Sequence, residues 1–226
     1  MTTVLFIRHG LTPLTGPVLA GWTPGVHLDD RGRAQAVALG ERLREVPLAA
    51  VVCSPLERCR ETAAAILAGR DPAPSLHVED AVGEVDYGSW TGRELTALRR
   101  EPLWAVVQGH PSAAVFPGGE GLAQVSARAV AAVRRWNAEV GPEATYAVVS
   151  HGDVIKAILA DALGLHLDGF QRIVVDPCAL SVVRYGAAAT HVERVNDTGG
   201  GVAGLVPGPR RRARSGRGAA TGRRAR

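Results

Sequence analysis

Long apolar runs, paired cysteines and a basic leader are all missing from this 226-residue sequence. A membrane helix needs about 20 consecutive apolar residues, and no stretch comes near that length, so a helical membrane span is excluded. A secretory leader would place a basic region before roughly 7–15 apolar residues. Here the first apolar run, residues 4–7, stops at Arg8, and a cytoplasmic location is the expectation. The three cysteines, Cys53, Cys59 and Cys178, are too few and scattered for a disulfide framework and lack the C-x-x-C spacing of zinc or redox sites. Cys53, at the end of an apolar run, reads as a small buried residue. Internal repeats are absent as well.

Acidic residues are missing from position 199 onward, where the chain carries eight arginines: Arg210, Arg211, Arg212, Arg214, Arg217, Arg223, Arg224 and Arg226. Without them, 18 basic residues face 22 acidic ones, so residues 1–198 carry about −4 although the whole chain is +4. The high isoelectric point belongs to the tail. From residue 197 the composition turns to Gly, Pro, Ala and Arg without periodicity, as expected of a disordered extension. The reading is therefore two units, a globular domain over 1–198 and a basic tail over 199–226. Such a tail is suited to weak binding of polyanions.

What is present is an alternation of strands and helices. Residues 4–7 read as a strand buried on both faces. After a Gly/Pro-rich loop over 10–28, Asp29 or Asp30 can cap a helix whose apolar positions are Ala34, Val37, Ala38 and Leu43. Residues 48–53 form a second strand, and Ser54-Pro55 reads as an N-cap and first-turn proline of a helix reaching about residue 67. A short third strand falls at 76–78. Residues 83–92, "GEVDYGSWTG", read as a loop, 93–100 as a helix, and "GHPSAAVFPGG" as another loop. A long amphipathic helix follows over 122–140, then a strand at 146–149 ending in Ser150-His151-Gly152, a helix to about 163, and a final strand pair over 180–185 and 191–195. This pattern predicts an α/β fold of three layers, α/β/α, with a mainly parallel sheet and helices on both faces.

The first strand ends in Arg8-His9 and the one at 146–149 ends at His151. If the two are parallel neighbours, both imidazoles reach the sheet edge where α/β folds bind ligands. Arg58 lies in the first turn or so of the helix after strand two, and Glu84 follows strand three. Two guanidiniums suit phosphate oxygens, and the turn at 150–153 adds backbone N–H groups at a helix N-terminus. A neutral histidine can attack phosphorus, and a carboxylic acid can protonate the departing oxygen, then deprotonate water. Arg8 and Arg58 would repel a dication and can themselves neutralise transition-state charge, so no metal is expected.

The segments "FIRHGLT", "LDDRGRAQA", "VVCSPLERCRETA", "EVDYGSWTG", "FPGGEGLAQVSARA" and "VVSHGDVIKAIL" together resemble the histidine phosphatase, or phosphoglycerate mutase-like, superfamily. They run in that family's order over about residues 3–186. The resemblance implies a phosphoglycerate mutase-like fold and no cofactor. It implies His9 as the nucleophile that becomes a phosphohistidine, with Glu84 as proton donor. Arg8, Arg58 and His151 would complete the phosphate pocket, with Gly10, Thr15, Gly21 and Gly152 among the substrate-binding positions. Asp86, two residues on, is the alternative acid to Glu84.

Departures bear on the substrate. Phosphoglycerate mutases of this kind carry asparagine where Thr15 stands, a basic pair where Val85-Asp86 follow the glutamate, and a carboxylate-gripping lysine on or near Leu95. The expectation is a metal-independent phosphomonoester hydrolase acting on a small-molecule phosphate. A phosphoglycerate mutase-type phosphomutase is one alternative, and a catalytically silent phospho-ligand-binding or regulatory module another. Oligomeric state is not legible. His27, His77, His166 and His191 read as surface residues, and His110 as a candidate wall of the substrate pocket. Trp22 and Trp90 sit in loops at the active edge and read as packing, as do Trp104 and Trp136.

Overall fold

Strand β1 (Thr2–Arg8) is apolar from Val4 to Ile7, where both of its faces are covered. Val4 and Phe6 pack into one apolar cluster and Leu5 and Ile7 into a second, on opposite sides of the sheet. The computed structural model describes residues 1–200; the basic tail from residue 201 onward lies outside the described residues. Six strands form one sheet in the order β3-β2-β4-β1-β5-β6. The strands are β1, β2 (Ala50–Cys53), β3 (Ser75–Val78), β4 (Thr145–Ser150), β5 (Leu180–Tyr185) and β6 (Thr190–Asp197). The first four are mutually parallel, and β5 and β6 close the sheet antiparallel. The mainly parallel, three-layer expectation is met.

Helices α1 (Asp30–Leu43) and α2 (Glu57–Leu67) cover one face. The other is covered by α5 (Leu122–Val140) and α6 (Gly152–Ala162), with the short α3 (Leu95–Leu98) and α4 (Pro102–Gly109) beside them. The chain thus leaves β1 toward α1 on one face and leaves β4 toward α6 on the other. Adjacent parallel strands that send their connections to opposite faces open a crevice between their carboxyl ends. Arg8 pairs with Ser150 across β1 and β4, so His9 and His151 emerge level with each other.

Several local readings need correction. The buried face of α1 is Gly32, Ala36, Leu39, Gly40 and Leu43, while Ala34, Val37 and Ala38 face outward. Glycine decides this: Gly40 lies against the α2 backbone, where an added Cβ would come within 2.5 Å of the Ala65 carbonyl. Backbone contact outweighs the apolar side chains in choosing the face. Helix α2 starts at Glu57 with Leu56 at its N-cap, so Ser54 is freed for another use. The segment read as a helix over 93–100 shortens to α3. α4 and the 3-10 turns at Pro111–Ala113 and Leu167–Arg172 are additional. All three cysteines are buried and unpaired, and burial pushes the Cys53 thiol up to about 12. Among the described residues no helix is long and apolar enough to cross a membrane.

Gly40→Ala tests the α1–α2 contact. Alanine favours an isolated helix by about 1 kcal/mol, yet overpacking against backbone should leave the variant about 1–3 kcal/mol less stable in urea unfolding. A stabilised variant would refute the close approach.

Candidate active site

Three adjacent parallel strands deliver the site. β1 ends in Arg8-His9, with the His9 N–H donating to the Ser150 carbonyl at 3.0 Å. β4 ends at His151, and β2 at Ser54, whose N–H donates to Val149 at 3.0 Å. Arg58, in the first turn of α2, reaches in from that face with a side chain only 1% exposed.

The protonation of His9 follows from its partners. Nδ1 lies 2.7 Å from the Gly10 carbonyl, which can only accept, so Nδ1 carries the hydrogen. Nε2 then accepts from the Arg58 Nε–H at 3.3 Å. Burial, reinforced by the charges of Arg58 and Arg8, holds the His9 pKa well below its ordinary value. The ring is therefore neutral, with its Nε2 lone pair directed away from the backbone.

His151 is fully buried, 5.3 Å from His9 between ring centroids. Its Nδ1 accepts from Arg58 Nη2 at 3.4 Å, so in the neutral ring Nε2–H donates to Ser54 Oγ at 2.7 Å. Burial and the Arg58 charge keep this imidazole neutral as well. Arg58 Nη2 also donates to the Gly21 carbonyl at 2.8 Å. Arg8 Nη1 donates to Val175 at 2.7 Å. Arg8 Nε and Arg58 Nη1 are buried donors without a partner among the described residues.

Glu84 enters from the loop after β3. Its Oε1 accepts from the Val85 N–H at 3.0 Å, while Oε2 stands 3.5 Å from His151 Nδ1 and 3.9 Å from Arg58 Nη2. Burial raises its pKa to about 7, with the Asp153 charge adding and Arg58 and Arg8 opposing. A carboxylic acid near neutrality beside a neutral imidazole and two guanidiniums is a set that can accept a phosphoryl group and manage one proton. Among the described residues no three His, Cys, Asp or Glu side chains are grouped to hold a metal ion.

A cleft of about 540 Å³ is lined by Arg8, His9, Arg58 and Glu84, and also by Thr15, Leu95 and Gly152. Gly10 and Gly21 stand beside it. A Cβ on Gly10 would meet the Gly32 carbonyl at 2.7 Å, and Gly21, at φ +52°, would meet Thr91. The Thr15 hydroxyl is tied to Thr12, at 2.9 Å from its Oγ1. Asp86 is exposed and accepts from the Gly88 N–H, so Glu84 is the one of the two that meets His151. His110 is exposed near Asp168 and does not line the cleft. Trp22 does more than pack: its Nε1–H donates to the Glu84 carbonyl at 2.7 Å. Sequence reasoning missed Ser54 as a partner of His151, Arg128 as a support of the Glu84 loop, and Tyr87, Asp153 and Lys156 in the cleft wall.

The fold and this constellation define an α/β protein with two guanidiniums, two neutral imidazoles and a carboxyl gathered at one sheet edge. The histidine phosphatase superfamily (branch 1) profile matches residues 4–198. The chain belongs to that superfamily. An acid phosphatase of Mycobacterium tuberculosis is 34% identical over 79% of this chain and 84% of its own. A protein of the same organism described as bifunctional is 34% identical over 88% of this chain. That match takes in 54% of the relative, so the chain spans about half the length of that curated relative. Among solved structures, Bacillus stearothermophilus YhfR superposes with a TM-score of 0.80 at 26% identity, covering 87% of this chain and 98% of that one.

The raised Glu84 pKa has a stability consequence that needs no catalytic role. An unfolded glutamate titrates near 4.5 and the folded one near 7, so the folded state holds an extra proton between those values. Its contribution to stability falls as pH rises through that window. Relative to the parent, Glu84→Gln should therefore gain on the order of 2–3 kcal/mol between pH 4.5 and 8. Melting curves that stay parallel across that range would refute the buried acid.

Proposed function

We propose that residues 1–198 form a catalytic domain that hydrolyses small phosphate monoesters through a phosphohistidine on His9. The observation that carries this is the pairing of a neutral His9, its Nε2 unprotonated, with a Glu84 carboxyl that titrates near 7. In the first step the Nε2 lone pair forms a bond to phosphorus as the ester P–O bond breaks, and Glu84 gives its proton to the leaving oxygen. In the second, the Glu84 carboxylate takes a proton from water, the water oxygen bonds to phosphorus, the N–P bond breaks and phosphate leaves. Arg8, Arg58 and His151 surround the transferring group, and the unpartnered Arg8 Nε and Arg58 Nη1 are the donors suited to its oxygens. Two fixed guanidiniums supply the charge stabilisation that metals provide elsewhere, so the reaction needs no metal or nucleotide cofactor. Gly10, Thr15, Gly21 and Gly152 complete the substrate-binding set, and the enzyme works in the cytoplasm.

Hydrolysis is favoured over the mutase reaction because apolar Leu95 lines the cleft where a carboxylate grip is required. The acid phosphatase relative is in keeping with this.

A phosphate-labelled substrate should label His9, and His9→Ala should abolish both labelling and turnover. Glu84→Gln should slow alkyl phosphates by about 100-fold or more but nitrophenyl phosphate far less, because that leaving group needs little protonation. For alkyl phosphates kcat/KM should fall as pH rises through about 7, and the fall should disappear in Glu84→Gln. Equal losses on both substrate types would remove Glu84 from the acid role. Rapid interconversion of 2- and 3-phosphoglycerate with little free phosphate would replace hydrolysis by the mutase reaction.

A further inference from the structure

The cleft continues past the phosphoryl-transfer residues to Lys156, the only lysine in the chain. Its side chain is 20% exposed, on α6 one turn beyond Asp153. Nζ donates to Asp153 Oδ1 at 3.3 Å and to Gln171 Oε1 at 3.1 Å, and lies 5.6 Å from the centre of the Phe170 ring. Two of its three N–H groups are thus engaged, leaving one donor. Asp153 Oδ2 accepts from the Tyr87 hydroxyl at 3.0 Å, and each carboxylate oxygen can accept again. A donor and acceptors therefore lie side by side, and the proposed phosphoryl step uses none of them.

Charge decides which leaving group fits. The Lys156 ammonium is offset by Asp153, and the exposed Asp176 also lines the cleft. Among the described residues, the lining outside Arg8, Arg58 and Glu84 therefore holds one cation against two carboxylates. A leaving group bearing a carboxylate would find no free cation there, whereas a hydroxyl, which both donates and accepts, matches the cluster. Space agrees. A volume of about 540 Å³ is that of a site for ligands much larger than a three-carbon acid. Behind Lys156 and Asp153 a further recess of about 230 Å³ is walled by Trp90, Trp104 and Phe116.

We propose that Lys156, positioned by Asp153 and Gln171, determines specificity, and that the substrate is a monoester of a neutral, polyhydroxylated alcohol of at least one sugar ring. This rests on the phosphomonoesterase reading for the phosphate end of the cleft.

The test is calorimetric binding to the full chain carrying His9→Ala, with ribose 5-phosphate, 3-phosphoglycerate and inorganic phosphate as probes. Ribose 5-phosphate should bind at least about tenfold more tightly than 3-phosphoglycerate. Adding Lys156→Met should weaken ribose 5-phosphate by about tenfold, the worth of a charge-assisted hydrogen bond, and by more than it weakens inorganic phosphate. Adding Asp153→Asn instead frees the ammonium and should strengthen 3-phosphoglycerate by about tenfold. These opposite shifts on one ligand pair cannot come from a loss of fold. Equal or tighter binding of 3-phosphoglycerate in the His9→Ala background, or no gain for it with Asp153→Asn, overturns the proposal. Turnover by the unsubstituted chain is read separately: the expected selectivity without hydrolysis of any monoester supports this subsite and removes the catalytic reading instead.

Discussion

A guanidinium buried almost completely among groups that carry no full negative charge is the constraint on which the rest of the site depends. The hydrogen-bond partners of the Arg58 guanidinium are two neutral imidazoles and the Gly21 carbonyl. Its nearest carboxylate oxygen is 3.9 Å away on Glu84. Burial, together with the cation placed there, depresses both histidines, which leaves His9 neutral with an unprotonated Nε2 rather than an imidazolium. An anion between Arg8 and Arg58 is stabilised for the same reason that a histidinium is not. The buried charge that favours an anion thus also helps, beside desolvation, to keep the His9 ring neutral.

Glu84 shows the complementary logic. Arg58 alone would pull its pKa down, but burial is the larger effect and the Asp153 charge adds to it. That balance holds only while the carboxyl stays in place, and its backbone is secured from two sides. Trp22 donates to the Glu84 carbonyl at 2.7 Å and Arg128 at 3.0 Å. Arg128 also binds the carbonyls of Ala81 and Gly83, and is fixed by Glu120. A glycine-punctuated loop is thus tied at three carbonyls to a side chain from the long helix α5.

The strand order of chemistry was legible in the sequence because it is written in consecutive residues. An apolar run closed by Arg8-His9, and another closed by Ser150-His151, needed only parallel adjacency to bring two imidazoles together. The register of β1 on β4 supplies it. Glu84 over Asp86 was open in the residue pattern, and in the structure it is Glu84 that turns toward His151 while Asp86 is exposed. The outward turn of Val37 and Ala38 was hidden, because periodicity reads side chains while α1 docks through Gly32 and Gly40. Ser54 read as a cap for the same kind of reason: local propensity identifies a hydroxyl at a helix start but not the imidazole 97 residues later that claims it. Arg128 gave no local signal at all, since an arginine inside an amphipathic helix looks like any solvated one.

The glycine contacts of α1 connect the fold to His9. Gly10 follows His9 and abuts Gly32, where a Cβ would lie 2.7 Å from the carbonyl oxygen. Gly32 in turn abuts Leu11, with a corresponding gap of only 2.0 Å. Asp29 caps α1 through the Gly32 N–H, and Leu11 is held at both backbone groups, by Gln35 at its N–H and by Asp29 at its carbonyl. From the other side, the Gly10 N–H donates to Thr62 Oγ1, which itself donates to the Arg58 carbonyl. His9 and Arg58 are thereby referred to the same hydroxyl, one through a neighbouring amide and the other through its own carbonyl. Gly10 and Gly32 meet backbone to backbone, while the Thr62 hydroxyl ties the Gly10 amide to the Arg58 carbonyl. That is why the imidazole can hold its Nδ1–H on the Gly10 carbonyl and keep Nε2 aimed at the cleft.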